Sequence, residues 1–338
     1  MEKRVLDVKG LKTSFFTHLG EVQAVRGVDF HLDEGEALGI VGESGSGKSV
    51  TSMSVMKLLQ YPGTIKEGEI LFRDMDLVKK TNKEMMLVRG NRIAMIFQDP
   101  MTSLNPVYSI GDQIMEVIIR HQQASKQEAR EKAIEMLRLV GIPSPDKRID
   151  NYPHEFSGGM RQRAMIAIAL ACQPDVLIAD EPTTALDVTI QAQILELMKE
   201  LREKVKTSII LITHDLGVVA DVCSRVVVMY GGLIMEEGTT EQIFYNPKHP
   251  YTMGLIKSIP RLDLAEKQRL IPIDGTPPDL LKPPAGCPFA ARCEFCMQIC
   301  LDQQPPYQSA EEGHRAMCWL MHPDAPKIDI GERGVVRK

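Results

Sequence analysis

Gly42-Glu43-Ser44-Gly45-Ser46-Gly47-Lys48-Ser49 sets two glycines, a lysine and a hydroxyl at the spacing G-x-x-x-x-G-K-[ST]. Those residue types at that spacing form a phosphate-binding loop. Glycines let successive backbone N–H groups turn inward around an anion, and the start of a following helix adds partial positive charge. Lys48 then reaches the terminal phosphates, and the Ser49 hydroxyl binds Mg2+. The same pattern can arise by chance in a tight turn, so context decides. Here it follows the apolar run Ala37-Leu38-Gly39-Ile40-Val41 and precedes a segment of helical character.

A phosphate loop alone leaves kinase, GTPase and ATPase open. Val176-Leu177-Ile178-Ala179-Asp180-Glu181 ends an apolar run in two adjacent carboxylates. Asp180 can bind Mg2+ through water, and Glu181 is placed to orient and deprotonate an attacking water. A carboxylate in that role beside bound phosphate implies hydrolysis, whereas Glu181 taken alone could be a solvated loop acid. Thr213-His214-Asp215 closes a third run, Ile209-Ile210-Leu211-Ile212. A lone histidine is more often structural, but at the end of a strand like the one that delivers Asp180 it reads as a γ-phosphate contact. Asn82-Lys83-Glu84-Met85 lacks the aspartate of a guanine-reading NKxD, which argues against a GTPase.

These residues need a frame. The three apolar runs are short and nearly continuous, as in strands buried on both faces of a parallel sheet. Ligands of open α/β sheets sit at the carboxyl ends of such strands. Val5-Val8 and Val25-Leu32 read as strands near a sheet edge. Ile190, Ile194, Leu197, Met198 and Leu201 share one helical face. From about Asp112 to Gly141 strand character is absent, which predicts a helical insertion. After about Gly238 the composition changes: Pro247, Pro250, Pro260, Pro272, Pro277, Pro278, Pro283 and Pro284 precede five of the seven cysteines. Proline at that density prevents long helices and central strands.

With 338 residues, 43% of them hydrophobic and 25% charged, the chain can bury a large core with appended parts. Its longest apolar run, Ala164 to Cys172, is about half of the roughly 20 residues a membrane span needs. MEKRVLDVKG at the amino terminus has no apolar h-region, so a cytoplasmic, reducing setting is expected. The net charge of -5, without a Lys/Arg block, argues against nucleic acid as a partner.

Phe156-Ser157-Gly158-Gly159-Met160-Arg161-Gln162-Arg163 resembles the LSGGQ signature of ABC ATPases. Around it, Gln98 in Phe97-Gln98-Asp99-Pro100 resembles the Q-loop, Ala185-Leu186-Asp187 the D-loop, and His214 the switch histidine. The resemblance covers nearly the whole chain. It implies an α/β ABC ATPase with a P-loop, a RecA-like core with an antiparallel β edge, an inserted helical subdomain, and a small Cys/Pro-rich C-terminal extension. The expected boundaries are 1–97 and 158–240 for the core, 98–157 for the helical subdomain and 241–338 for the extension.

Carried over by resemblance, Phe15 stacks on adenine, while Ser44, Gly45, Ser46, Gly47, Lys48, Ser49, Val50 and Thr51 surround the phosphates. Ser49 and Gln98 hold Mg2+, with Asp180 nearby; Glu181 is the general base, assisted by Lys48 and His214. Ser157, Gly158 and Gly159 cover the ATP of another subunit. Met160 departs from the usual glutamine. Val50 stands where many P-loops have threonine, so Thr51 or the backbone must supply any contact there.

Asn246-Pro247-Lys248-His249-Pro250-Tyr251-Thr252 and the cysteine-rich end resemble the ATPase subunits of dipeptide and oligopeptide importers. That branch implies a second, different ATPase subunit in a heterodimer, two transmembrane permease subunits, indirect work with an extracytoplasmic solute-binding protein, and a peripheral place on the cytoplasmic face of the membrane. Nickel importers are near neighbours in the branch. A soluble ABC ATPase of DNA or ribosomes fits less well, because there is a single P-loop and no long coiled-coil insertion. An electron-transfer protein fits poorly too, since there is one cysteine cluster and no sign of a flavin.

Cys287, Cys293, Cys296, Cys300 and Cys318 crowd the proline-rich tail, and soft thiolates in a reducing compartment suggest Zn2+ or iron–sulfur, with free thiols as the bland alternative. Only Cys293-Cys296 has the C-x2-C spacing that zinc favours. The importer resemblance matches Cys287, Cys293, Cys300 and Cys318 to a [4Fe–4S] site and leaves Cys296 outside it. Cys172 and Cys223, in apolar surroundings, read as inert core thiols.

Overall fold

A computed structural model describes residues 3–183, 187–258 and 272–326. In chain order the first elements are β1 (Arg4–Thr17), β2 (Gly20–Asp33), β3 (Ala37–Val41), α1 (Lys48–Val55), β4 (Gly63–Phe72), β5 (Met75–Asp76) and α2 (Asn82–Val88). Next come β6 (Ile93–Ile96), α3 (Pro100–Ser103), α4 (Ile110–Gln122), α5 (Lys126–Leu139), α6 (Pro145–Arg148), α7 (Gly158–Leu170), β7 (Val176–Asp180), α8 (Val188–Val205) and β8 (Ser208–Thr213). The last are α9 (Leu216–Val222), β9 (Arg225–Tyr230), β10 (Leu233–Thr239), α10 (Thr240–Tyr245), α11 (Pro250–Lys257), α12 (Gln298–Asp302), β11 (Gln308–Glu311) and β12 (His314–Ala316). No helix among the described residues is long and apolar enough to cross a membrane.

The chain forms two compact units. One comprises Lys79–Ile212 with the short segment Leu32–Glu36 and the first residues of β1. Its strands β6, β7 and β8 run parallel, with Ile93 opposite Val176 and Asp180 opposite Ile212. Every residue of the three is buried, which explains runs of continuous rather than alternating hydrophobicity. The predicted helical insertion is α4 and α5. Ser109 caps α4 by accepting from the Asp112 N–H, and Ser125 with Glu128 forms a capping box on α5. Ile110, Ile114 and Ile118 of α4 and Ala129, Ala133 and Leu137 of α5 are fully buried, and both helices pack against α7. In α8, Ile194, Leu197 and Met198 are buried as the periodicity predicts.

The other unit takes Leu6–His31, Ala37–Val78 and the described residues from Thr213 onward. An antiparallel sheet has the order β2-β1-β4-β5. Its first two strands are 14 residues each, longer than the apolar runs Val5-Val8 and Val25-Leu32. In a second sheet β3 pairs parallel with β9, and antiparallel pairings continue through β10 and β12 to β11. Buried charge ties this sheet together. Glu236, fully buried, accepts from the N–H groups of Lys248 and His249 and meets His314 Nε2 at 2.8 Å. Glu237 is paired by Arg225 and by Arg315, whose Nε lies 2.8 Å away. Buried carboxylates held by several donors recover part of the desolvation cost that isolated ones would bear.

The described residues of the C-terminal extension belong to this unit. Gln23 N–H donates to the Leu280 carbonyl at 2.9 Å, Arg26 to that of Pro284 at 3.2 Å, and Arg315 to that of Asp29 at 2.6 Å. Lacing of this kind along β2 places the extension with the antiparallel sheet and the phosphate loop. As the prolines predict, its described helices are short, none longer than the eight residues of α11.

Candidate active site

The phosphate loop lies between β3 and α1, in the unit that holds the extension. Gly42 cannot be another residue: a Cβ there would lie 2.1 Å from the Met229 carbonyl oxygen. Gly45 has φ +78°, and no heavy atom of the described residues lies within 4 Å of its missing side chain. Gly47 precedes α1 without any side-chain cap, which leaves the first N–H groups of the helix for an anion. Lys48 is 5% exposed, and its Nζ donates to the carbonyls of Gly42 at 2.7 Å and Glu43 at 2.9 Å. Ser44 and Ser49 are exposed, and Ser46 is buried. The donor set fits a nucleotide triphosphate.

The Thr51 hydroxyl and N–H both donate to the Gly47 carbonyl at 2.9 Å, and the residue is 1% exposed. These bonds stabilise the start of α1. Val50 brings no polar side chain, so contacts at this end of the loop come from backbone. Phe15 is half-buried, its ring lying over Gly63, whereas the neighbouring Phe16 is 49% exposed with the Lys66 ammonium 5.9 Å from its centroid. His214 is exposed just after β8, and Asp215 caps α9 by accepting from Gly217 and Val218.

In the other unit, the carboxyl ends of β6 and β7 deliver Gln98, Asp180 and Glu181. Asp180 is 6% exposed. Glu181 has φ +47°, the left-handed region that non-glycine residues avoid. Its N–H donates to the Ile212 carbonyl at 2.9 Å, and Gln98 Nε2 donates to its Oε2 at 3.1 Å. The expected Mg2+ ligand Gln98 thus holds the expected general base, leaving its own amide oxygen for a cation. Ser157 is exposed at the start of α7 and accepts from the Met160 N–H at 3.3 Å. A Cβ on Gly158 would meet nothing within 4 Å among the described residues. The helix start is therefore open to an external anion. Of the D-loop, Ala185 and Leu186 lie outside the described residues, and Asp187 caps α8.

Sequence reasoning missed what holds the loop residue Glu43. Its carboxylate is gripped by Arg292, Nη1 to Oε2 at 2.7 Å and Nη2 to Oε1 at 3.1 Å, and its N–H donates to the Tyr251 hydroxyl at 2.8 Å. The partners are 208 and 249 residues away, a separation that leaves no trace in local patterning. Burial alone would lower the Arg292 pKa, but hydrogen bonds to Glu43 and Tyr230 overcome it and raise it.

Cys287, Cys293, Cys300 and Cys318 line one small pocket together with Phe289, Phe295 and Trp319. Burial, reinforced by the neighbouring thiols, pushes Cys293 up to about 11 and Cys287 and Cys318 up to about 12. Cys296 is exposed and absent from the pocket lining. The four thiols share a cavity, yet among the described residues no group of three or more His, Cys, Asp or Glu side chains is arranged to hold a metal. Cys223 is buried, and burial raises the pKa of the half-buried Cys172, as inert thiols require.

A glycine-rich loop entering a helix, a buried parallel strand that ends in two carboxylates, and a serine-glycine helix start are the features of an ABC-type ATPase. An "ABC transporter" family model matches residues 25–184. Among solved structures, a post-hydrolysis dimer of the ATP-binding cassette MJ0796 with ADP and Pi is similar at TM-score 0.63 and 26% identity, over 70% of this chain and 98% of that one. CbiO1 from Clostridium perfringens is similar at TM-score 0.62 and 28% identity, over 72% of this chain and 91% of that one.

A second family model, "Oligopeptide/dipeptide transporter, C-terminal region", matches residues 235–300. The oligopeptide transport ATP-binding protein OppD of Bacillus subtilis is 60% identical, covering 97% of this chain and 92% of its own length. The dipeptide transport ATP-binding protein DppD of the same organism is 59% identical over 95% of both chains. The chain belongs to the family of ATP-binding subunits of ABC-type oligopeptide and dipeptide transporters, and it is an ATPase.

Proposed function

We propose that this subunit hydrolyses ATP to power import of di- and oligopeptides across the cytoplasmic membrane. The observation that carries the reading is the peptide-transporter C-terminal region continuous with an ABC cassette in one chain. Lys48 and the backbone from Ser46 to Ser49 hold the triphosphate, and Phe15 lies under the adenine. Ser49 and Gln98, together with Asp180, are the residues that would hold Mg2+, which would supply neutralisation of phosphate charge. Glu181 deprotonates the attacking water, and His214 contacts the γ-phosphate. Ser157, Gly158 and Gly159 cover the nucleotide of a second, different ATPase subunit.

The inserted helical region near Gln98 to Ile119 passes closure on to two transmembrane permease subunits, whose solute comes from an extracytoplasmic binding protein. Val107, 72% exposed, and Tyr108, 55% exposed, support a docking role for this segment. The chain then sits peripherally on the cytoplasmic face. The experiment is reconstitution with the permeases and partner ATPase in vesicles. ATP-dependent peptide uptake is expected, and uptake of no peptide by a complex that hydrolyses ATP would refute peptide import.

Cys287, Cys293, Cys300 and Cys318 hold a [4Fe–4S] cluster in this reading, with zinc as the alternative. Their common pocket supports it, and the buried thiols must release protons on binding. Iron and sulfide in roughly equal amounts are expected in anaerobically purified chain; iron-free chain with a fully ordered extension would contradict the cluster.

A further inference from the structure

The side chain of Arg292 is only 5% exposed, and its bonds all converge on one purpose. Beyond the two to Glu43, Nε donates to the Asp274 carbonyl at 2.8 Å, Nη2 to that of Ile273 at 2.9 Å, and Nη1 to the Tyr230 hydroxyl at 3.1 Å. Tyr230 and Phe289 place ring faces within 5.6 Å and 5.9 Å of the guanidinium. Every direction of the fork is thus fixed from the extension or β9, and the fork meets the carboxylate in the bidentate geometry that Arg alone supplies.

Glu43 is a chemical problem for its own loop. It occupies the second position of a segment meant to receive a triphosphate, and an unpaired carboxylate there repels the ligand. We propose that Arg292 is a positioning residue through which the C-terminal extension neutralises Glu43 and fixes the first turn of the phosphate loop, setting ATP affinity from outside the cassette. The inference rests on the reading of Gly42 to Ser49 as the ATP site. The Tyr251 hydroxyl reinforces it by taking the Glu43 N–H out of competition with the loop's inward-facing donors.

The test is equilibrium ATP binding by full-length chain carrying Arg292→Gln, Glu43→Gln, both, or Lys48→Ala. Arg292→Gln should weaken binding about tenfold, by leaving one carboxylate unpaired near phosphate. The double variant should return to within about threefold of the natural affinity, because the repelling charge is gone; a merely structural role would not be rescued. If Arg292→Gln fails to fold, Arg292→Met keeps the alkyl stem against Tyr230 and Phe289 and must give the same loss and rescue. Unchanged affinity in the single variant, or a loss that Glu43→Gln does not repair, overturns the proposal. Lys48→Ala separates it from the underlying reading: undiminished binding there would sink the ATP site itself, whereas loss there with none at Arg292 sinks only the positioning role.

Discussion

Glu181 holds a backbone conformation that costs a non-glycine residue about 1 kcal/mol, directly after a fully buried strand. Strain kept at a carboxylate proposed to take a proton from water makes a residue-scale prediction. Glu181→Gly relieves the strain, so its urea midpoint should match or exceed that of the natural chain, with an unfolding free energy higher by up to about 1 kcal/mol, while hydrolysis disappears. A clearly lower midpoint would show that the side chain is structural. The motifs at this scale were legible because each is local: Lys48 and Ser49 follow their glycines, and Asp180 and Glu181 end an apolar run. The bonding of Thr51 to the Gly47 carbonyl and the clasp of Arg292 on Glu43 were not legible, since neither leaves a signal in the local residue pattern.

At the scale of elements, α11 is capped by a buried histidine. His249 Nδ1 accepts from the Tyr251 N–H at 3.0 Å, and burial lowers its pKa to about 3 from 6.5. A depressed folded-state value means that the stabilisation is complete above pH 6.5 and is lost as pH falls, because only the unfolded chain takes up the proton. Stability should therefore decline by up to about 1.4 kcal/mol per pH unit below 6. His249→Asn keeps a capping acceptor and should flatten that slope in urea titrations between pH 7 and 5; an unchanged slope would assign it elsewhere.

The link from Arg292 to Glu43 makes a second element-scale prediction through reciprocity of binding. ATP should slow amide hydrogen exchange of residues 287–300, and Arg292→Gln should abolish that protection. Parallel strands β3, β7 and β8 could be read from the sequence, because strands buried on both faces are continuous apolar runs. The pairing of β12 with β10 could not: His314-Arg315-Ala316 is short and polar, and it joins the sheet through Glu236 and Glu237, some 78 residues earlier.

For the whole molecule, the sequence suggested a core, a helical insertion and a separate tail. The tail shares a compact unit with the phosphate loop, and hydrogen bonds tie it to β2 and to Glu43. Whole-chain resemblance made the class readable, while long-range pairing hid this coupling. If Ser157, Gly158 and Gly159 complete another subunit's site, one chain carries half of a working centre. Turnover per chain should then rise with protein concentration or with added partner ATPase, while ATP affinity stays nearly constant. Activity independent of both would place a complete site within one chain.

The most direct measurement is ATP binding and phosphate release by Glu181→Gln beside the natural chain, in the assembled transporter. Binding within about threefold of natural affinity, with phosphate release reduced at least about a hundredfold, is predicted from the loss of a general base. Hydrolysis at the natural rate would contradict the account.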